Sequence, residues 1–275
     1  MAAPRIISMD FSTAGRDDCY FRILTGRNVK YVTIQAGALD SESLMDMPLS
    51  FQDILPELPY GESHWNTAFI SRNATSGKLE ASLDKKELPA VGTVWCQNKV
   101  DFLQLQRTQQ LTLLAQECTI NSDNSMNDSP PENQAKNTVI AKIARFPWEI
   151  QYIEAETRIY QLLQSTKVSP RFQAHVHEEG RVIGFLLEKV EGRRAGIDDL
   201  DICQRALQFL HNLDVLHGDV NRHNFIIVPG REAVLIDFEK AVMEADAKSL
   251  AKEMSSLREQ LSEESGRGGG FFTVE

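Results

Sequence analysis

The chain has 275 residues, 42% of them hydrophobic and 25% charged, an ordinary globular composition that can bury one large core or two smaller ones. A net charge of -10 opposes a broad nucleic-acid or anionic-membrane surface, because such partners are met by clustered Lys and Arg. The N-terminal run carries one Arg and no long apolar core, and no segment reaches bilayer-spanning length, so the expectation is an intracellular protein, cytoplasmic or nuclear, that is not secreted.

Residues 1–99 alternate short β-rich stretches (19–24, 29–34, 67–71) with turn-forming segments such as LPELPYG, and no long helical period is evident. They read as an irregular, β-rich N-terminal extension. Strands at 100–105 and 111–119 follow, joined through Arg107-Thr108-Gln109-Gln110. The polar run 121–137 lacks the apolar residues needed to offset its ordering entropy and reads as a mobile loop. A third strand covers 138–144, and a helix opens near Pro147, where proline is tolerated in the first turn.

On that helix Ile153, Tyr160 and Leu163 share a face, with Glu156 among them. Glu154 groups with Gln151, Arg158 and Gln161 and is expected to face water, whereas Glu149, two turns before Glu156, remains an alternative on roughly the same face. A hairpin over 172–177 and 181–190 turns at Glu178-Glu179-Gly180. Asp198 or Asp199 caps a helix whose apolar positions are Cys203, Ala206, Leu207, Leu210 and Leu213. A last helix spans 245–261, and the glycine-rich stretch in 263–275 reads as a flexible tail. The four cysteines are scattered and read as small buried residues, and His175, His177, His211 and His223 as surface or loop-packing side chains.

The chemistry concentrates in HGDVNRHNFIIV and, a few residues later, AVLIDFEKA. Asp219 and Asn224 precede one strand-like run, and a second such run carries Asp237. That order can bring three oxygen ligands and a base into one small space.

With Val139-Ile140-Ala141-Lys142, Glu156, His217-Gly218-Asp219, Asn224 and Asp237-Phe238-Glu239 in this order, the chain resembles the protein-kinase-like superfamily over about residues 100–262. Its truncation resembles that of compact atypical kinases: the RIO kinases, the small kinase of the tRNA-modifying KEOPS complex, and the bacterial Kdo kinases. The stretch from IEAETRIYQLL through GRVIGFLLEKVEGR to HGDVNRHNF is also similar to fungal kinase-like proteins, some of which carry the label α-galactosidase A precursor. No paired-carboxylate arrangement supports glycoside hydrolysis.

The resemblance implies an α+β, two-lobed fold: a kinase-like N-lobe at 100–190 containing the loop 121–137, and a truncated C-lobe at 191–262. It implies ATP and Mg2+ as cofactors and transfer of the γ-phosphate to a hydroxyl of a protein or small molecule. By resemblance Lys142 touches the nucleotide phosphates, Glu156 holds that ammonium, and Glu188 and Val190 join the ATP-binding residues. Asn224 and Asp237 hold magnesium, Asp219 orients the acceptor hydroxyl and takes its proton, and His217 braces the loop.

Of three departures from the family's pattern, the missing glycine loop and Glu239 favour an alternative, a pseudokinase that binds a nucleotide or a partner without turnover. No Gly-x-Gly-x-x-Gly lies between the first two strands, so either Arg107 substitutes for its amides or nucleotide binding is weak. Gly218 replaces the arginine of regulated protein kinases. Glu239 stands where Asp-Phe-Gly has glycine.

Overall fold

The computed structural model describes residues 3–12, 14–121, 138–230 and 232–263 of a mixed α+β chain with three sheets. Apart from Asn121 and Glu263, the expected mobile loop 121–137 and tail 263–275 lie outside the described residues. Among the described residues no helix is long and apolar enough to cross a membrane. The chain divides into two compact units, 1–89 and 90–275.

Unit 1 contains β1 (Arg5–Asp10), β2 (Cys19–Thr25), β3 (Asn28–Ile34), α1 (Ser41–Ile54), β4 (Thr67–Arg72) and β5 (Leu79–Asp84). The strands form one sheet in chain order; β3 and β4 are parallel, with α1 in the crossover. Cys19, Phe21 and Ile23 alternate inward, as period-2 side chains must, and join Val32, Ile34, Ala68 and Ile70 in a core with Trp65 and with Leu44, Met47 and Phe51 of α1.

The helix corrects the expectation that residues 1–99 carry no long helical period. Asp40 caps it by accepting from Ser43 N at 2.7 Å, and Leu44, Met47 and Phe51 recur on one face. Pro48 inside it and non-helical backbone at Ser50 mask the period. With its own core, this region is not an irregular extension.

Unit 2 begins earlier than the expected boundary, because residues 90–99 are tied into it. Val91 N donates to Val182 O at 2.9 Å, and β6 (Lys99–Asp101) adds a parallel strand beside β10 (Phe172–Glu178). With β7 (Leu105–Gln110), β8 (Ala115–Ile120), β9 (Thr138–Ile143) and β11 (Arg181–Glu188) they make a six-stranded sheet in the order β6-β10-β11-β9-β8-β7. α2 (Ile150–Leu163) links β9 to β10 after a single 3-10 turn at Pro147–Glu149.

The β10–β11 hairpin turns at Glu179 and Gly180, both at positive φ, as a tight two-residue turn requires. The β7–β8 turn, however, lies at 111–114 and not at 107–110. Gln110 Nε2 donates to the carbonyls of Thr112 and Ala115, and Ala115 N donates to Thr112 Oγ1. These local bonds close a turn within the apolar run that reads as strand from sequence.

The remainder of unit 2 comprises β12 (Arg193–Arg194), α3 (Leu200–His211), β13 (Phe225–Ile227), β14 (Val234–Leu235) and α4 (Ala247–Ser262). The three short strands form a small sheet in the order β12-β13-β14. Cys203, Ala206, Leu207 and Leu210 of α3 are buried, but Leu213 lies past the helix end and is exposed. Asp199 sits at the α3 N-cap position with its carboxylate on Arg193 and Gly196 N instead of on the helix amides. One continuous apolar cluster runs from the large sheet through α2 to α3, α4 and the small sheet.

Candidate functional site

Lys142 lies on β9, an inner strand, opposite Ala115 of β8 and Phe185 of β11. A buried ammonium needs partners, and Lys142, 7% exposed, has two. Its Nζ donates to Glu156 Oε2 at 2.7 Å and to Asp237 Oδ1 at 2.5 Å. α2 delivers Glu156 because Ile153, Tyr160 and Leu163 anchor the same face in the core. The other Glu156 oxygen accepts from Phe238 N at 3.0 Å.

Desolvation opposes the Lys142 charge, but the Glu156 and Asp237 carboxylates outweigh it and hold the ammonium well above its ordinary pKa. Burial also raises the Asp237 carboxyl, yet Lys142 beside it keeps it below the usual range. At Glu156 the balance reverses: complete burial pushes the acid up to about 7 against the pull of Lys142. Asp237 has φ 68, left-handed backbone that is uncommon for a residue other than glycine. It is held there by Lys142 on its side chain and Glu156 on the following amide.

Below this group the rings of His217, Phe238, Tyr160 and Phe172 contact one another in series, with centroids 5.2, 5.4 and 6.2 Å apart. The column joins the small sheet's loops to α2 and β10 through the core. His217 Nε2 meets Ile236 O at 3.1 Å, so this imidazole braces the segment that carries Asp237, and burial depresses its pKa.

The second half of the site is a 3-10 turn, Arg222–Asn224, capped by Asn221, whose side-chain oxygen accepts from His223 N. The Asn221 and Asn224 amides both donate to Asp219 O, at 3.1 and 2.9 Å, and Ile236 N donates to Asn224 O at 3.0 Å. Asn224, 3% exposed, is thereby fixed between the Asp219 and Asp237 segments. The Asp219 carboxylate is partly open to solvent and accepts from Lys240 Nζ at 3.0 Å.

Lys142, Glu156, Glu188, Val190, Asn224 and Asp237 all line one cavity of about 580 Å3. Its wall also contains Ile140, Leu187 and Ile226, so apolar surface and convergent polar groups share one concave site. Asp219 is not in the lining and connects to it through Asn224. Arg107 is not there either: it lies within β7 and bonds Gln110 Oε1 at 3.0 Å.

Three expectations about side chains are corrected. Glu154 does not face water; it accepts from Gly92 N, Thr93 N and Thr93 Oγ1, pinning residues 92–93 to α2. Glu149 is buried, with its carboxylate on the Arg145 guanidinium and on the amides of Arg145 and Phe146 and not on Lys142. His175 and His211 are buried core residues, not surface ones.

Glu253 on α4 and Lys240 beside Asp219 are residues that the sequence reading misses. Glu253 supports the loop from behind. Its carboxylate accepts from His217 N at 3.0 Å and Gly218 N at 2.7 Å and contacts His211 Nε2 at 2.8 Å. These bonds hold it below the usual carboxylate range although burial alone would raise it. A signal existed: Glu253 lies four and eight residues before Leu257 and Leu261, on the buried stripe of α4.

No family model matches the chain, and no curated protein matches it.

Proposed function

We propose that unit 2 is a compact, two-lobed, kinase-like phosphotransferase that moves the γ-phosphate of ATP to a hydroxyl of a protein or small molecule inside the cell. The observation that carries this reading is the Lys142 ammonium, held by Glu156 and Asp237 at the wall of a cavity of suitable size for a nucleotide. Ile140, Leu187 and Ile226 would face the base, with Glu188 and Val190 at the same end of the ligand. Lys142 would bind the phosphates, oriented by Glu156.

Magnesium, when bound, neutralises charge on the phosphate oxygens. It is a hard ion that uses one or two protein oxygens plus phosphate oxygens, and the Asn224 amide oxygen and the Asp237 carboxylate fit that donor set. Asn224 Nδ2 is engaged by Asp219 O, which leaves Oδ1 for a cation. Asp219, the partly open carboxylate, would orient the acceptor hydroxyl and take its proton as the new oxygen–phosphorus bond forms.

Two observations favour the second reading, a nucleotide-binding or partner-binding pseudokinase. The 111–114 turn beside the cavity contains no glycine and uses its polar groups internally. Glu239 adds a carboxyl that burial and the Asp237 charge push upward. Thermal unfolding with millimolar ATP and magnesium separates the cases: wild type should gain stability by mass action and Lys142→Met should gain much less. A wild-type melting temperature that does not move would remove ATP from the proposal.

A further inference from the structure

Lys240 is placed with more care than a surface lysine requires. Its Nζ lies 3.0 Å from Asp219 Oδ2, and the segment that carries it is fixed from both sides. Ala241 N donates to Phe238 O, and Leu216 and Val242 exchange two backbone bonds of 2.9 Å in an isolated bridge. Between these points Gly218 has φ 79, and a Cβ on it would strike the Lys240 carbonyl oxygen. Glycine here meets two demands at once, left-handed backbone and close approach of the Lys240 chain.

The pair itself does little for the fold. The Lys240 and Asp219 side chains are 57% and 32% exposed, a setting in which an ion pair contributes weakly to stability. The hydrogen bond to Asp219 nonetheless keeps Lys240 firmly protonated. Among the described residues Asp219 Oδ1 accepts no hydrogen bond, so one carboxylate oxygen holds the lysine and the other is left for a substrate.

We propose that Lys240 is a catalytic residue that binds the phosphoryl group in flight while Asp219 binds the acceptor hydroxyl. This rests on the phosphotransferase reading above. In the transfer, the acceptor oxygen bonds to the γ-phosphorus as the bond from phosphorus to the bridging oxygen breaks, and its electron pair leaves on ADP. The acceptor proton passes to Asp219 Oδ1. Lys240 keeps its three protons throughout and meets the negative charge spread over the transferred group's oxygens, a fixed cation where charge moves.

The test compares wild type, Asp219→Asn, Lys240→Met and Lys240→Arg in turnover, in MgATP affinity, and in affinity for MgADP with aluminium fluoride, which mimics the group in flight. Lys240→Met should lower kcat about tenfold to a hundredfold with MgATP affinity nearly unchanged, and should lose affinity for the fluoride complex to a similar extent. Lys240→Arg should recover part of both losses, and urea unfolding of all four proteins should nearly coincide. An active wild type, an inactive Asp219→Asn and a fully active Lys240→Met would overturn the role of Lys240 and leave the phosphotransferase reading standing. Faster turnover by Lys240→Met would overturn it too, with Lys240 then an obstruction. A wild type without turnover would remove both proposals.

Discussion

The two charged clusters of unit 2 use the same chemistry under opposite solvation. In the first, Lys142, Glu156 and Asp237 have side-chain exposures of 9%, 1% and 27%; in the second, Asp219 and Lys240 have 32% and 57%. A buried group must be satisfied by the fold at all times, so each partner in the first cluster is bound up with stability. A solvated group loses little when its partner is removed, and the second cluster stays open to solvent. Glu253 stands behind the second cluster as its buried support, with bonds to the two residues that precede Asp219.

Substitutions that separate charge from fold sharpen this contrast. The largest effect is expected for Glu156→Ala, which strips a fully buried ion pair of one member and leaves the Phe238 amide without its acceptor. Urea unfolding should show a loss of about 3–5 kcal/mol. Glu156→Gln should cost well under half of that, since it keeps an acceptor for Phe238 and burial already drives the acid up to about 7. Equal losses for the two variants would mean that the charge, and not the buried hydrogen bond, governs.

Glu253→Ala comes next. It leaves the His217 and Gly218 amides and the His211 ring without their acceptor, and the expected loss is about 2–3 kcal/mol, read in the same unfolding experiment. Faster hydrogen exchange at the His217 and Gly218 amides should accompany it. If exchange there is unchanged, α4 does not support the loop.

The smallest effect concerns pH. His175 Nε2 accepts from Trp95 N and Cys96 N, each at 3.2 Å, and burial, aided by Lys99, depresses its pKa to about 4. The unfolded chain therefore binds a proton between about pH 6.5 and 4 that the folded chain refuses. The contribution is fully present above pH 6.5 and is lost as the pH falls through 4. Glu156 runs the other way, its contribution fading as the pH rises from 4.5 through 7, so the readout is a difference. The stability gap between wild type and His175→Asn should narrow on acidification over that window; a constant gap would contradict the assignment.

The sequence made the first cluster legible because its members sit at fixed offsets from strong local patterns. Lys142 lies within a β-branched run and Glu156 on an apolar helical face, and Asp237 follows Val234-Leu235-Ile236. Asn224 and Asp219 were readable from a single loop. What stayed hidden depends on bonds between distant segments. Nothing local ties Glu253 to Gly218, and Glu154 gives no sign in sequence that it will bind Gly92 and Thr93. Lys240 beside Asp219 likewise needs the Leu216–Val242 bridge. In unit 1, α1 is obscured by Pro48; in unit 2, the β7–β8 turn is obscured by an apolar run that local side-chain bonds fold back.

The central claim is that Asp219 is the base of a phosphotransferase whose nucleotide is held elsewhere, by Lys142 and its partners. The most direct measurement is magnesium-dependent ATP turnover by wild type and Asp219→Asn, with ATP-induced stabilisation followed on the same samples. Asp219→Asn keeps the side chain's size and one acceptor oxygen but cannot take the proton, so turnover should fall about a hundredfold or more while the stabilisation persists. Turnover that survives the substitution, or is absent from wild type as well, would contradict the account.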